Sequence, residues 1–408
     1  YKKEGKRMMK FLKTKFLPIL VGFTLLLFLT NNFGLIDIEK TAIIIALGID
    51  RVESTQKYEV TAQISVPQST DSSKNNADAL VSGKGSTIAD AIDDIAVTTG
   101  WYPLLAFCNL IVLGENTLNA NVMTFVDVFI RTDKIPDSSL LVACEGKAQD
   151  LLTAASPLDS VSAFALEKIL VKDIAKLNRI SFVNVKDFAK GYFSKSKSSY
   201  MPYIKKIKVV TAPPAQEGGG GAGGGSGSGS DEKYVFDGTT TLMFKNGVNV
   251  GMLDENQTLT FNLRKHESID TFFDIEDVKI GEKTAAATIG LNESKKRFAL
   301  EIKNSPVFRI ELTLKCHVED VNSSEDVANL FPTQIIPDEA LRQIEDEIEG
   351  IYKESFKKMQ EANCDLYLLT DELYKFHYKK YDEYKDDILQ KTQIDVKVKC
   401  ELQRNNRS

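Results

Sequence analysis

The first thirty residues constrain this chain most. Lys2, Lys3, Lys6, Arg7, Lys10, Lys13 and Lys15 form a basic head, and the apolar stretch Phe16 to Leu29 (FLPILVGFTLLLFL) follows it. A basic region ahead of an apolar core is the pattern of an export signal or signal anchor, and the positive flank obeys the positive-inside rule. Such a segment carries the rest of the chain across a membrane, which excludes most cytosolic enzymology. A buried core helix is the competing reading, but the stretch has no amphipathic face. It is short for a span, since about 20 apolar residues are usual. Reading on through Thr30 to Ile36 reaches that length and takes in Asn31 and Asn32. No small-x-small cleavage site follows the apolar core. The expectation is an uncleaved signal anchor with its N-terminus inside, carried by Phe16, Leu20, Phe23, Leu26 and Leu29.

A chain of 408 residues is expected to hold two or three domains. With 43% hydrophobic and 26% charged residues, its composition is that of an ordinary globular protein. The net charge is −6. Because the basic head holds a local surplus, the exported body is more acidic than the total. That excludes nucleic acid as a partner, which wants a basic patch, and argues against tight binding to anionic lipid outside the anchor. The five cysteines, Cys108, Cys144, Cys316, Cys364 and Cys400, are scattered and odd in number, which is no disulfide framework. Buried free thiols are expected, with a Cys316–Cys400 bridge left open because both lie in strand-like runs of one region.

The hydropathy pattern predicts a mixed α and β body. Thr41 to Asp50 and the alternating Tyr58 to Val66 read as an antiparallel hairpin. Gln68 to Gly85, rich in Ser, Asn and Asp, reads as a loop. Ser86 or Thr87 caps a helix with Ile88, Ala91, Ile92 and Ile95 on one face, ended by Gly100. Leu105 to Leu113 reads as a strand, Val122 to Ile130 as a helix and Ser138 to Cys144 as a strand. Gly146 to Ala154 and Val161 to Leu177 read as helical, and Tyr200 to Val210 as a strand. Gly218 to Ser230 (GGGGAGGGSGSGS) has no side chains to bury and reads as a flexible linker. It is no phosphate loop, since no GxxxxGK[ST] pattern is present. Asn246-Gly247, between two strand-like runs, predicts a tight hairpin turn. Three further strand-like runs follow between Thr284 and Val318. Pro337 then opens a long helix from Asp338 to about Ala362, with the apolar stripe Leu341, Ile344, Ile348, Ile351, Tyr352, Phe356 and Met359. A short helix, Asp371 to Lys379, and a strictly alternating strand, Gln393 to Cys400, close the chain.

Catalytic patterns are missing. His266, His317 and His377 fall in no metal-binding spacing. No GxSxG elbow occurs. The acidic run Asp270 to Asp277 lacks EF-hand spacing and reads as an acidic loop or strand end. Glu345, Asp346, Glu347 and Glu349 read as the solvated face of the long helix. Trp101-Tyr102-Pro103 holds the only tryptophan and reads as a plug at a domain edge, with an exposed contact as the alternative. Paired carboxylates need no local motif, so a glycosidase is the one enzyme class left open. No catalytic residue, cofactor or metal ligand is assigned.

Taken in order, these segments resemble the Ger(x)C family, the C subunits of bacterial spore germinant receptors. Ile45-Ala-Leu-Gly-Ile-Asp50 and Lys57 to Gln63 resemble its opening. Gly85 to Ala91 is similar to its "G-x-T-x-x-E-A" helix start, and Leu110 to Asn116 to its hydrophobic-Gly-Glu strand end. Arg131 and Leu140 to Leu152 match a further stretch, Gly238 to Leu253 a hairpin, and the long helix with Asn363-Cys-Asp365 its third domain. The resemblance is collinear from about residue 38 to 402. It implies α+β architecture with three mixed α/β domains in tandem, which here stand behind the N-terminal transmembrane signal anchor read from the first residues. The boundaries are a basic head and anchor over 1–36, an N-terminal mixed domain over 37–212, the Gly/Ser-rich linker over 213–232, a small β-rich domain over 233–285 and a C-terminal α/β domain over 286–408. It also implies a non-catalytic, membrane-anchored subunit that partners the receptor's A and B membrane subunits at the outer face of the spore inner membrane. Contact with a small molecule is left open. Two departures stand out. Members typically carry a lipid-modified Cys after the signal, where this chain has Phe28 to Asn32 and a helical anchor takes its place. At a position often occupied by His, this chain has Cys108 or Asn109. The alternative is an exported, membrane-anchored binding or scaffold protein unrelated to germination.

Overall fold

The computed structural model describes residues 16–30, 40–52, 54–65, 78–132, 134–159, 161–170, 178–209, 232–264, 268–280, 283–322 and 338–402. The basic head, the glycine-rich stretch, the first part of the expected loop 68–85, residues 171–177 of an expected helix and His266 lie outside them.

Fourteen uncharged, mostly apolar residues form helix α1 (Leu17–Thr30). Thr24 within it turns its hydroxyl back onto the Leu20 and Val21 carbonyls. The body begins at β1 (Thr41–Val52), which pairs antiparallel with β2 (Lys57–Ser65), Ile49 opposite Val60. The expected loop ends in a strand: β3 (Asp78–Gly85) pairs along all of β2. Its Ala79-Leu80-Val81 core is too short to show against the polar residues around it. Thr87 caps α2 (Ile88–Thr99), whose buried face is Ile88, Ala91, Ile92 and Ile95, and Gly100 ends it in the left-handed conformation, which costs glycine little.

A short β4 (Tyr102–Leu104) and β5 (Leu110–Leu113) both run parallel to β1. Helix α3 (Met123–Arg131) leads to β6 (Leu140–Cys144), also parallel. Then come α4 (Ala148–Leu152), α5 (Ser162–Leu170), α6 (Val185–Phe193) and β7 (Ser198–Lys208). Beyond the glycine-rich stretch, β8 (Tyr234–Lys245) pairs antiparallel with β7, Lys208 opposite Tyr234, and turns into β9 (Val248–Leu253). Asn246 and Gly247 take φ of 51° and 77° in that turn, as a tight hairpin requires. The nine strands form one sheet of order β3-β2-β1-β5-β6-β7-β8-β9, with β4 alongside β1. Helices α2, α3 and α6 cover one face, and α4 and α5 the other.

Helix α7 (Glu255–Leu263) leads into a second sheet of four strands: β10 (Ser268–Ile280), β11 (Lys283–Ile302), β12 (Pro306–Asn322) and β13 (Gln393–Leu402). The long helix α8 (Asp338–Glu361) buries all seven residues of its expected stripe against this sheet. Helix α9 (Leu369–Phe376) and three short turns complete the body.

The structure is mixed α+β, but its sheets divide the chain differently from the expected boundaries. The hairpin 234–253, expected to open a separate domain at 233–285, is the far edge of the first sheet, and β10 from the same expected domain belongs to the second. Hydrogen bonds along β7 and β8 decide this, and composition does not register them. The acidic run lies inside β10, where Thr271, Phe273 and Ile275 point inward and Asp274 accepts from Thr288. Two of the four carboxylates read as a solvated face are also engaged. Glu345 accepts from Cys400 N–H (2.7 Å) and Glu349 from Val398 N–H (3.1 Å), satisfying donors of the edge strand β13.

Candidate functional site

The segments that carry the family resemblance meet at the C-terminal ends of β1, β5 and β6. In open α/β sheets this end, with a helix N-terminus beside it, is where anionic ligands bind. Here the chain fills the position with its own carboxylate. Asp50, 5% exposed, accepts from Ala148 N–H at 2.8 Å and Gln149 N–H at 3.1 Å, the first amides of α4. Gly114 packs so closely that a Cβ there would stand 1.9 Å from Asp50 Oδ1. Its amide donates to Ile49 O (2.9 Å), and Glu115 exchanges two hydrogen bonds with Gly146. Burial raises the Asp50 carboxyl above its ordinary value, while the two amides pull it down. A carboxylate this enclosed ties the end of β1 to the start of α4, with Gly114 packed against it, and has no access to substrate.

The second cluster joins the two sheets around Asn363-Cys364-Asp365. Cys364 Sγ donates to Phe244 O in β8, and Asp365 N–H donates to Ser198 Oγ in β7. The buried Asp365 carboxylate then accepts from Leu369 N–H, Thr370 N–H and Thr370 Oγ1–H, all within 3.0 Å, and so starts α9. One turn on, Asp371 accepts from Lys195 N–H and Ser196 N–H, both at 3.0 Å, holding the turn before β7. Between the sheets lies α7, buried from Gln257 to Leu263. Each of its polar side chains is matched: Thr258 bonds Thr241, Asn262 donates to Asn178 O and Ile180 O, and Gln257 caps through the Asp254 box while accepting from Lys358.

Beside this seam opens a cleft of about 730 Å³, lined by Phe182, Tyr200, Phe261 and Leu366, with Asp187, Lys190, Asp371 and Lys375 among its polar groups. Its size fits a small molecule, but no nucleophile–base pair converges there. Arg264, which also lines it, is held by the Tyr367 carbonyl and by the faces of Phe298 and Tyr367.

The thiols are all free and buried. Burial pushes Cys108 and Cys364 up to about 12, far from the thiolate that nucleophilic chemistry needs. Cys316 and Cys400 lie on paired strands as thiols, with a hydrogen bond between them raising Cys400. His317 pairs with Glu319, and His377 Nε2 donates to Leu300 O (2.8 Å). Among the described residues, no three His, Cys, Asp or Glu side chains gather in a metal-binding group.

Of the expected anchor residues, Phe16, Leu20, Phe23 and Leu26 are 60%, 52%, 59% and 57% exposed, and Leu29 lies in α1. At about 1.5 Å per residue, the 14 residues of α1 reach about 21 Å. Among the described residues, no helix is long and apolar enough to cross a membrane.

This is the arrangement of a protein that uses its buried polar groups to hold itself together. Its family is identified by two models. Residues 35–206 match the spore germination protein N-terminal domain, and residues 239–406 match the C-terminal domain described as spore germination B3/GerAC like. The chain belongs to this family of spore germination proteins. Spore germination protein B3 of Bacillus subtilis (strain 168) is 33% identical over 141 residues, which are 34% of this chain and 37% of that protein. The match thus spans little more than a third of that relative's length. The crystal structure of the GerBC protein aligns with 90% of this chain and 100% of its own, at 20% identity and a TM-score of 0.45.

Proposed function

We propose that this protein is a non-catalytic, membrane-anchored subunit of a spore nutrient germinant receptor. In this reading it works through protein contacts with the receptor's A and B membrane subunits at the outer face of the spore inner membrane. The observation that carries it is the pair of family matches covering both halves of the body. The geometry is consistent with it: Asp50, Asp365 and Asp371 accept from backbone amides, so these carboxylates brace the fold.

The anchor is α1, with Phe16, Leu20, Phe23, Leu26 and Leu29 in lipid. The segment bears no charge from residue 16 to 36, and Thr24 satisfies its own hydroxyl within the helix, as a lipid environment demands. Tethering raises the effective concentration of the body at its membrane partners. The test is an affinity pull-down from detergent-solubilised spore inner membranes, read by mass spectrometry against an untagged control. Recovery of a multi-span and a transporter-like protein together is expected, and Leu20→Asp with Leu26→Asp should move the chain to the soluble fraction. A partnerless protein, unchanged in fractionation by that pair of substitutions, overturns the reading in favour of an exported scaffold.

A further inference from the structure

Eleven residues from Val97 to Phe107 (VTTGWYPLLAF) contain no charge. They hold four exposed apolar side chains: Val97 (83%), Trp101 (48%), Tyr102 (41%) and Phe107 (56%). The fold gathers them at one place. Gly100 turns the chain out of α2, and β4 then runs along the start of β1, Tyr102 opposite Thr41 and Leu104 opposite Ile43. The tight turn Leu105–Phe107 follows at once, with Leu105 buried and Phe107 outside. The exposed group therefore surrounds the point where the chain enters the first sheet.

That point is tied to α1. Eleven steps of chain separate Thr30 from Thr41, which at full extension span at most about 40 Å. Thr30 therefore lies within that reach of Thr41, which stands opposite Tyr102. Tryptophan and tyrosine carry an apolar body with a polar tip and settle at the level of lipid headgroups. The stretch itself carries no charge and so loses no ion hydration on meeting that layer, while the exposed Lys40 and Asp93 stand beside it. We propose that Val97, Trp101, Tyr102 and Phe107 form a second, interfacial membrane contact that rests on the bilayer entered by α1. This sets β1 with its start toward the lipid and the Asp50 end away from it. The inference rests on the anchor reading above.

Trp101 is the only tryptophan, so its fluorescence reports this patch alone. The full chain would be reconstituted into vesicles of phosphatidylethanolamine and phosphatidylglycerol, floated on a density gradient, and compared with vesicles brominated near the top of the acyl chain. The expected result is a blue-shifted emission, protection from acrylamide and quenching of about twofold by the bromines, as for a ring at the interface. Tyr102→Ser with Phe107→Ser keeps Trp101; it should still float, retain its circular dichroism and lose most of the quenching. A chain that floats while Trp101 stays open to acrylamide and unquenched overturns the contact but not the anchor, as does protection that appears only when a partner subunit is added. Quenching unchanged by the double substitution also overturns it. A chain that does not float overturns the anchor reading and the contact together.

Discussion

Asp365 shows how much one buried carboxylate decides. It is 1% exposed, ties β7 to α9 through its backbone and side chain, and among the described residues has no cation bonded to it. Burial raises its carboxyl above the ordinary 3.8, and the donors from Leu369 and Thr370, with Lys245 behind them, offset only part of that. The sign of the pH dependence follows. A carboxyl that holds its proton more tightly folded than unfolded adds stability below 3.8 and loses it as the pH climbs through the raised folded value. Asp365→Asn removes this titration while keeping a side chain that accepts one amide. Urea unfolding from acid to neutral pH should therefore show wild type weakening relative to D365N across that window and running parallel to it above. A difference independent of pH would mean that Asp365 does not titrate as its burial requires. Asp50 is the same device in the first sheet, and its position was legible as a motif although its role was not. Sequence gives the carboxylate at the end of a strand. Only the fold places the amides of residues 148 and 149, nearly a hundred positions on, against it.

At the scale of elements, legibility followed periodicity. Helix α2 and the stripe of α8 were readable because each has one dry face and one wet one, and the Asn246-Gly247 turn because that pair accepts positive φ. Helix α7 was not, because it is dry on every side: Thr258, Thr260 and Asn262 are as buried as Leu259 and Phe261, so no period marks it. Its signal was the Asp254-x-x-Gln257 capping box. Asn184 ahead of Asp187 marked α6 similarly. The edge strand β13 makes a related point. It alternates as expected, yet its exposed margin is guarded from above by Glu345 and Glu349. An unpaired edge invites pairing with another chain, and these carboxylates occupy two of its donors. Glu345→Ala should leave the Cys400 amide without its acceptor and lower stability by about 1–2 kcal/mol, measured by chemical denaturation. Glu345→Gln, which can still accept, should recover most of it. Equal losses in the two variants would show that the hydrogen bond to β13 is not what Glu345 contributes.

For the molecule as a whole, the glycine-rich stretch is where composition and strand pairing divide the chain differently. Thirteen residues without side chains to bury look like the seam between modules, yet the strands on either side pair with each other. Val209 N–H donates to Lys233 O at 2.9 Å, Lys208 stands opposite Tyr234, and Tyr234 N–H donates to Ala155 O. The stretch is thus an excursion from one sheet. The break between the two sheets falls later, between β9 and β10, where α7, Asp365 and Asp371 join them. This gives a decisive comparison. If 210–231 merely closes a hairpin, replacing it by a four-residue Asn/Gly turn removes loop-closure entropy and nothing else. Shortening a connection of about 22 residues to 4 is worth about 1.5 kcal/mol, since each doubling of loop length costs about 0.6 kcal/mol. The urea midpoint should rise while its slope, which reports the surface exposed on unfolding, stays unchanged. If the stretch instead separates two modules, the short turn would tear β8 from its position, and the transition would split or move to lower urea. A single transition at higher urea, with its slope unchanged, would establish that the first sheet folds as one unit across this connection.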